Sequence, residues 1–185
     1  MHDFLELCRR RESTRRYDRS RPVPRAAVER CLEAARLAPS ACNSQPWSFI
    51  VVDQSADRDA LAAAAFSGVH GFNKFAAEAP VLIVAVRELS KFSARVGGWV
   101  RGLDYSLIDL GIACEHLVLQ AAEEGLGTCW LGWFDERAVG KVLGLPRKAK
   151  IDIIISLGYS ADAGTRDKLR KPPEEVWRFH SGSTL

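Results

Sequence analysis

The stretch "LDYSLIDLGIACEHLVLQAAEE", residues 103–124, is apolar on nearly every side of a helix. A helix of that kind is buried in a core or in a subunit interface. The rest of the chain has to supply apolar surfaces that cover it. Three stretches qualify as buried strands: "WSFIVV" from Trp47, "PVLIVAV" from Pro80 and "IDIIISLGY" from Ile151. The first is apolar on both faces apart from Ser48 and reads as a central strand.

Helices fill the intervals. Val28, Cys31, Leu32 and Ala35 fall at i, i+3, i+4 and i+7, the spacing of one buried stripe. Pro24 suits that helix's first turn and Pro39 marks its end. Phe4, Leu7 and Cys8 suggest a short amphipathic first helix, and alanine-rich residues 56–65 look helical. Gly125 and Gly127 end the long helix, "TCWLGWF" follows as strand and turn, and Asp135 is placed to cap "ERAVGKVLG". Strands and helices in this order make one layered domain, α+β or α/β, over residues 1–185. The short connections do not form a clean βαβ repeat.

Several functions are excluded by what is missing. No G-x-G-x-x-G opens a helix after a strand, and no P-loop, H-E-x-x-H or G-x-S-x-G occurs. Cys8, Cys31, Cys42, Cys114 and Cys129 are scattered and odd in number, which argues against a disulfide framework or a structural zinc site. Most read as small core residues. No motif ties His2, His70, His116 or His180 to Cys42 as an activating base. The apolar runs are too short to span a bilayer, and the N-terminal stretch is not a secretion signal, so the expectation is a cytoplasmic protein.

Net charge is only +3, but eight arginines crowd the first 25 residues and Arg166, Lys168, Arg170 and Lys171 form a second basic group. Such groups are solvated faces, nucleic-acid patches or anion sites. Chain termini are often close in space, so the two groups can converge. A different signal lies in "PSACNSQPW", residues 39–47, polar but without any charged side chain. Hydroxyls and amides bind well but are poor acids and bases. They suit a ligand that carries its own chemistry, and the arginines suit a phosphate on that ligand. A flavin mononucleotide (FMN) has both ends.

The successive motifs "RRESTRRY", "LEAARLAPSACNSQPWSFIVV", "EEGLGTCWLGWF" and "LGYS…DKLRKPPEEV" resemble, in order and over residues 10–176, those of the nitroreductase-like flavoproteins. The resemblance implies an α+β three-layer fold, a mixed central sheet flanked by helices, and a homodimer with flavin sites shared between subunits, the tail 160–185 packing on the partner. It implies that Arg11, Ser13 and Arg15 surround the flavin phosphate and ribityl chain, with Lys168 and Arg170 completing that site. Guanidinium forks and hydroxyls are the right donors for phosphate. Pro39, Ser40 and Asn43 would contact the partner's flavin. Gln45 and Trp47 are either part of that contact or turn and core residues. The backbone of Leu131, Gly132 and Trp133 would pass beside the isoalloxazine ring, and Asn73 would reach its pyrimidine edge. Many relatives have two glycines where this chain has Gly132 and Trp133, which leaves open which amide faces flavin N5.

The implied activity is NADH- or NADPH-dependent reduction of a nitroaromatic or quinone in a ping-pong cycle, with flavin N5 carrying the hydride and no catalytic side chain or metal. Arg15 is the candidate cation for the N1 and C2 carbonyl edge. Trp99, behind Gly97 and Gly98, is either a packed aromatic or an acceptor-selecting wall, and His70 either a rim residue or a proton donor. Two alternatives stand beside this: a specialised flavoprotein (a dehalogenase, a flavin-destroying enzyme or an FMN binder only), and a basic nucleic-acid-binding module.

Overall fold

A computed structural model of the chain describes residues 3–88 and 102–180; Trp99, Gly97 and Gly98 lie outside the described residues. The strands are β1 (Trp47–Val52), β2 (Val81–Arg87), β3 (Gly127–Leu131) and β4 (Lys150–Gly158), joined in one sheet in the order β1-β2-β4-β3. The helices are α1 (Phe4–Arg10), α2 (Arg25–Arg36), α3 (Ser55–Ala65), α4 (Tyr105–Glu123), α5 (Glu136–Val142) and α6 (Pro173–Val176), with 3-10 turns at Ala41–Asn43 and Gly68–Glu78. No helix among the described residues is long and apolar enough to cross a membrane.

The sheet is the middle of three layers because β2 is apolar at every position but its last. Val81, Ile83 and Ala85 face a core built with α2 and α4, while Leu82, Val84 and Val86 face a second core built with α3, the 68–78 turn and α5. Side chains alternate across a strand, so one strand of uninterrupted apolar residues demands cover on both sides. In β4, Ile155 and Leu157 serve the first core and Ile154 the second. A register shift between Ala85 and Val86 pairs them with Ile153 and Ile151, leaving Asp152 as the extra residue of a bulge. The shift turns Ile151 into the second core, and Asp152 meets Arg87 at 2.8 Å.

Three sequence expectations need correcting. Named strands pair only antiparallel among the described residues, so the sheet is not mixed; parallel pairing is confined to a single bridge, Ser13 with Thr128. The "WSFIVV" strand is β1, at the end of the sheet rather than its centre, and all but Val52 are only partly buried. An apolar run shows that a strand is covered but does not show how many neighbours it has. Helix α1 forms but buries no residue, and Phe4 and Leu5 stay exposed.

Other expectations hold. Helix α2 buries Ala27, Val28, Cys31 and Ala35, with Leu32 partly covered. Asp135 caps α5 by accepting from the Ala138 amide at 2.9 Å. Helix α4 buries Leu110, Ala113, Cys114, Leu117, Val118 and Ala121, yet leaves Leu107 and Ile108 exposed. Cys31 and Cys114 are core residues whose thiols burial pushes up to about 12, Cys129 is also buried, and Cys42 is exposed.

The N-terminal segment closes the outer edge of β3. The Thr14 amide donates to the Thr128 carbonyl at 2.8 Å, and the Asp18 amide to the Tyr159 carbonyl at 2.9 Å. The Tyr17 hydroxyl lies 2.7 Å from Ser156 Oγ in the core. This approach requires glycine at 127, where a Cβ would fall 2.2 Å from Thr14 Oγ1. Gly127→Ala is therefore expected to cost about 1–3 kcal/mol as overpacking. Gly140→Ala, in α5 with nothing within 4 Å, is expected to gain about 0.5–1 kcal/mol. Urea unfolding midpoints at unchanged slope measure both.

Candidate functional site

The two basic groups of the sequence do meet. The Arg166 guanidinium donates to the Ser13 carbonyl at 2.6 Å and to Glu12 Oε2 at 3.2 Å, fastening the tail to the segment that edges β3. Two residues on, Lys168 donates to the carbonyls of Cys8, at 2.6 Å, and Arg11. Those carbonyls belong to the C-terminal end of α1, so the ammonium caps that helix. Partial burial, with Arg11 and Arg170 close by, holds the Lys168 pKa below the ordinary lysine value. Across the segment, burial holds the Cys129 thiol's pKa above its ordinary value, against the lowering influence of Arg15, Ser13, Arg166 and Arg11.

Arg11, Ser13, Arg15, Lys168 and Arg170 are thus gathered at one corner of the fold. Among the described residues, no carboxylate pairs with Arg11, Arg15, Lys168 or Arg170. That contrasts with Arg10, held by Glu123 at 2.8 Å, and Arg16, held by Asp162 at 2.8 Å. Glu12 is the acid beside them and it is bound to Arg166, so the cations at this corner outnumber the acids, repel one another, and are relieved by an anion.

Four residues along β3 from Thr128 the chain reaches Gly132, roughly 13 Å away in extended geometry. Leu131 is a core residue, whereas Gly132 is exposed and a side chain there would meet only Ile153 Cδ1, at 3.9 Å. The backbone edge is open to a ligand. Trp133 does not cover it, because its indole N–H donates to the Val69 carbonyl at 3.1 Å and its ring tilts against His70 at 5.3 Å. Asn73, buried, donates from its side-chain amide to the Trp133 carbonyl at 2.9 Å. Asn73 and Trp133 come together, with the asparagine orienting the backbone of the Gly132–Trp133 turn.

The 39–45 loop is held elsewhere, beside α4. Cys42, Asn43 and Gln45 all have left-handed backbone, at φ 51°, 49° and 49°. Each such residue costs roughly 1–2 kcal/mol unless its surroundings enforce it. The Gln45 amide donates to Ser40 Oγ at 2.9 Å, and the Gln45 side chain to Asn43 Oδ1 at 2.9 Å. Gln45 is thus a turn residue and Trp47 packs on the core. Pro39 and Asn43 are exposed. No hydrogen bond among the described residues links Ser40 or Asn43 to Arg11, Ser13 or Arg15.

The loop's outside anchor is Asp109, a residue that sequence reasoning passed over. Its Oδ1 accepts from the Ala41 amide at 3.0 Å, it is 3% exposed, and its Oδ2 is buried without a hydrogen-bond partner among the described residues. The one signal was a carboxylate inside "SLIDLGIACEHLVL", where an apolar helix otherwise has no use for charge. A bond to a charged acceptor is worth about 1.5–3 kcal/mol, so Asp109→Ala is expected to speed hydrogen exchange at the Ala41 amide at least tenfold. Exchange followed by NMR checks this, with core amides of β2 as the unchanged reference.

Comparisons with known proteins place the sequence and the fold in a family. The nitroreductase family model matches residues 8–159. A relative named NADH dehydrogenase, from Thermus thermophilus, is 32% identical, the alignment covering 91% of this chain and 93% of that protein. A solved nitroreductase family protein from Clostridium novyi superposes with TM-score 0.75 at 30% identity, over 87% of each chain. The FMN-dependent nitroreductase of Clostridium difficile superposes with TM-score 0.73 at 27% identity, over 96% of this chain and 99% of that one. By motif order, fold and sequence, this chain belongs to the nitroreductase family.

Proposed function

We propose that this chain is an FMN-dependent NAD(P)H oxidoreductase that passes a hydride from NADH or NADPH to a nitroaromatic or quinone in a ping-pong cycle. The observation that carries the reading is the corner of cations at the start of β3, of which Arg11, Arg15, Lys168 and Arg170 form no ion pair among the described residues, followed along the same strand by the open backbone of Gly132. The residues fit FMN: a phosphate at Arg11, Ser13 and Arg15, and a planar ring against a backbone that no side chain obstructs. Bound flavin supplies the atom, N5, that takes and gives the hydride.

The chain's own residues do the rest. Arg11 and Arg15 bind the phosphate as charge-assisted donors, and one Lys168 proton remains for it after the two spent on α1. Asn73 fixes the plane of the peptide that follows Trp133, and with it the turn beside the ring. Trp133 and His70 form an aromatic wall at the rim, against which a flat acceptor can lie. No side chain is needed as an acid or base.

Assembly as a homodimer completes the site in this reading. Leu107 and Ile108 on α4 and Phe4 and Leu5 on α1 are apolar and exposed, as are Leu169, Trp177 and Phe179 in the tail. A tail with Leu169 and Phe179 each 94% exposed needs a surface to pack on, and a partner subunit supplies one. The same assembly would bring the partner's Pro39, Ser40 and Asn43 loop to this chain's flavin.

Two experiments test the reading. Initial rates with NADH or NADPH against a quinone are expected to give parallel double-reciprocal lines; intersecting lines would rule out the ping-pong cycle. Arg11→Glu replaces a phosphate donor by a repelling charge and is expected to weaken FMN binding about ten- to a hundredfold. Fluorescence titration of the apoprotein with FMN measures it, and an unchanged affinity would remove Arg11 from the phosphate site.

A further inference from the structure

Nine arginines among the described residues pair with a carboxylate. Arg30 lies 2.5 Å from Glu124, Arg36 2.7 Å from Glu33, and Arg87 2.8 Å from Asp152. Beyond the Arg11 corner, Arg19, Arg21 and Arg178 are scattered cations without an ion pair among the described residues, Arg21 lying over the Tyr159 ring at 3.6 Å, and one further place gathers several such cations together. It is a cleft of about 570 Å³ between α5 and the segment entering β4, lined by Arg137, Lys141, Arg147 and Lys150. Among the described residues no carboxylate forms an ion pair with any of the four.

The nearby acids are turned to other work. Glu136, the one acid in the lining, accepts from the Ile151 amide at 3.1 Å. Asp135 caps α5 and Asp152 holds Arg87. The lining also includes Leu145, Pro146, Ala149 and Ile151. Four cations over an apolar floor fit a ligand with phosphate groups and a flat apolar part better than they fit a bare ion. A solvated basic face would have no need of the concavity or of the apolar lining.

The cleft also lies close to the flavin edge along the chain. Glu136 follows Trp133 by three residues, a separation of at most about 10 Å. We propose that this cleft binds the phosphate-bearing adenosine half of the nicotinamide dinucleotide while its nicotinamide lies at the Gly132–Trp133 edge. The proposal rests on the oxidoreductase reading above and adds to it where the donor is held. The 2′-phosphate of NADPH gives the cations one more group to bind, so NADPH is the favoured donor.

The test uses flavin-loaded protein and the double variant Arg137→Ala/Lys141→Ala, whose alanines suit a helix. Adenosine 2′,5′-bisphosphate, titrated by calorimetry, is expected to bind the parent and to bind the variant at least tenfold more weakly. The KM for NADPH is expected to rise about tenfold in the variant, with kcat and the quinone KM unchanged and NADH less affected. Equal bisphosphate binding by parent and variant would overturn the proposal. So would weakened bisphosphate binding with an unmoved NADPH KM, which would mark a separate nucleotide site. Failure of the oxidoreductase reading looks different: the parent itself would oxidise neither donor, while the calorimetric arm still reports on the cleft.

Discussion

The contact between Thr14 and Gly127 sets the position of the segment that carries the proposed phosphate site. Only a glycine lets the N-terminal segment lie this close to β3, and the backbone bond from Thr14 to Thr128 holds it there. Arg11, Ser13 and Arg15 are carried on that segment. Tyr17 drives its far end into the core beside Ser156, where burial raises the phenol's pKa and keeps it a neutral hydrogen-bonding group. The tail then adds Arg166 and Lys168 on the outside. A flexible arginine-rich terminus becomes a fixed corner of charge because each layer is pinned by backbone or by burial.

That corner is electrostatically unfinished within one chain. Lys168 is divided between a structural task, closing the carbonyl end of α1, and the phosphate role that its motif suggests. The 39–45 loop is unfinished in another way, since it accepts left-handed strain at three residues and is held from outside by a buried carboxylate with one oxygen unpartnered among the described residues. Strain of this kind is maintained where a loop has something to present. Both features fit a site made from two protomers, which is the assembly proposed for this chain.

How much of this was legible in the letters depends on the scale of the interaction. Helix α4, helix α2 and strand β2 follow from runs and periods that burial alone dictates, and all three are found where periodicity places them. The edge position of β1 was hidden, because the partial cover of Ser48 to Val51 comes from neighbours far along the chain. The meeting of the basic groups could be guessed from the closeness of termini, but Arg166 as the fastener could not, since its acceptor is a backbone carbonyl. Trp133 is the clearest case. Its letter announced a bulky ring beside the flavin edge, and only the bond to the Val69 carbonyl shows the ring directed onto the 68–78 turn instead of across Gly132.

The central claim is that the residues gathered along β3 hold a flavin that a nicotinamide reduces. The visible absorption spectrum of the purified protein, recorded before and after anaerobic addition of NADH or NADPH, tests it most directly. The account predicts a flavin spectrum, present on purification or restored by added FMN, that bleaches with one of the two nucleotides and returns with a quinone. A protein that takes up no FMN, or whose flavin neither nucleotide reduces, would contradict it.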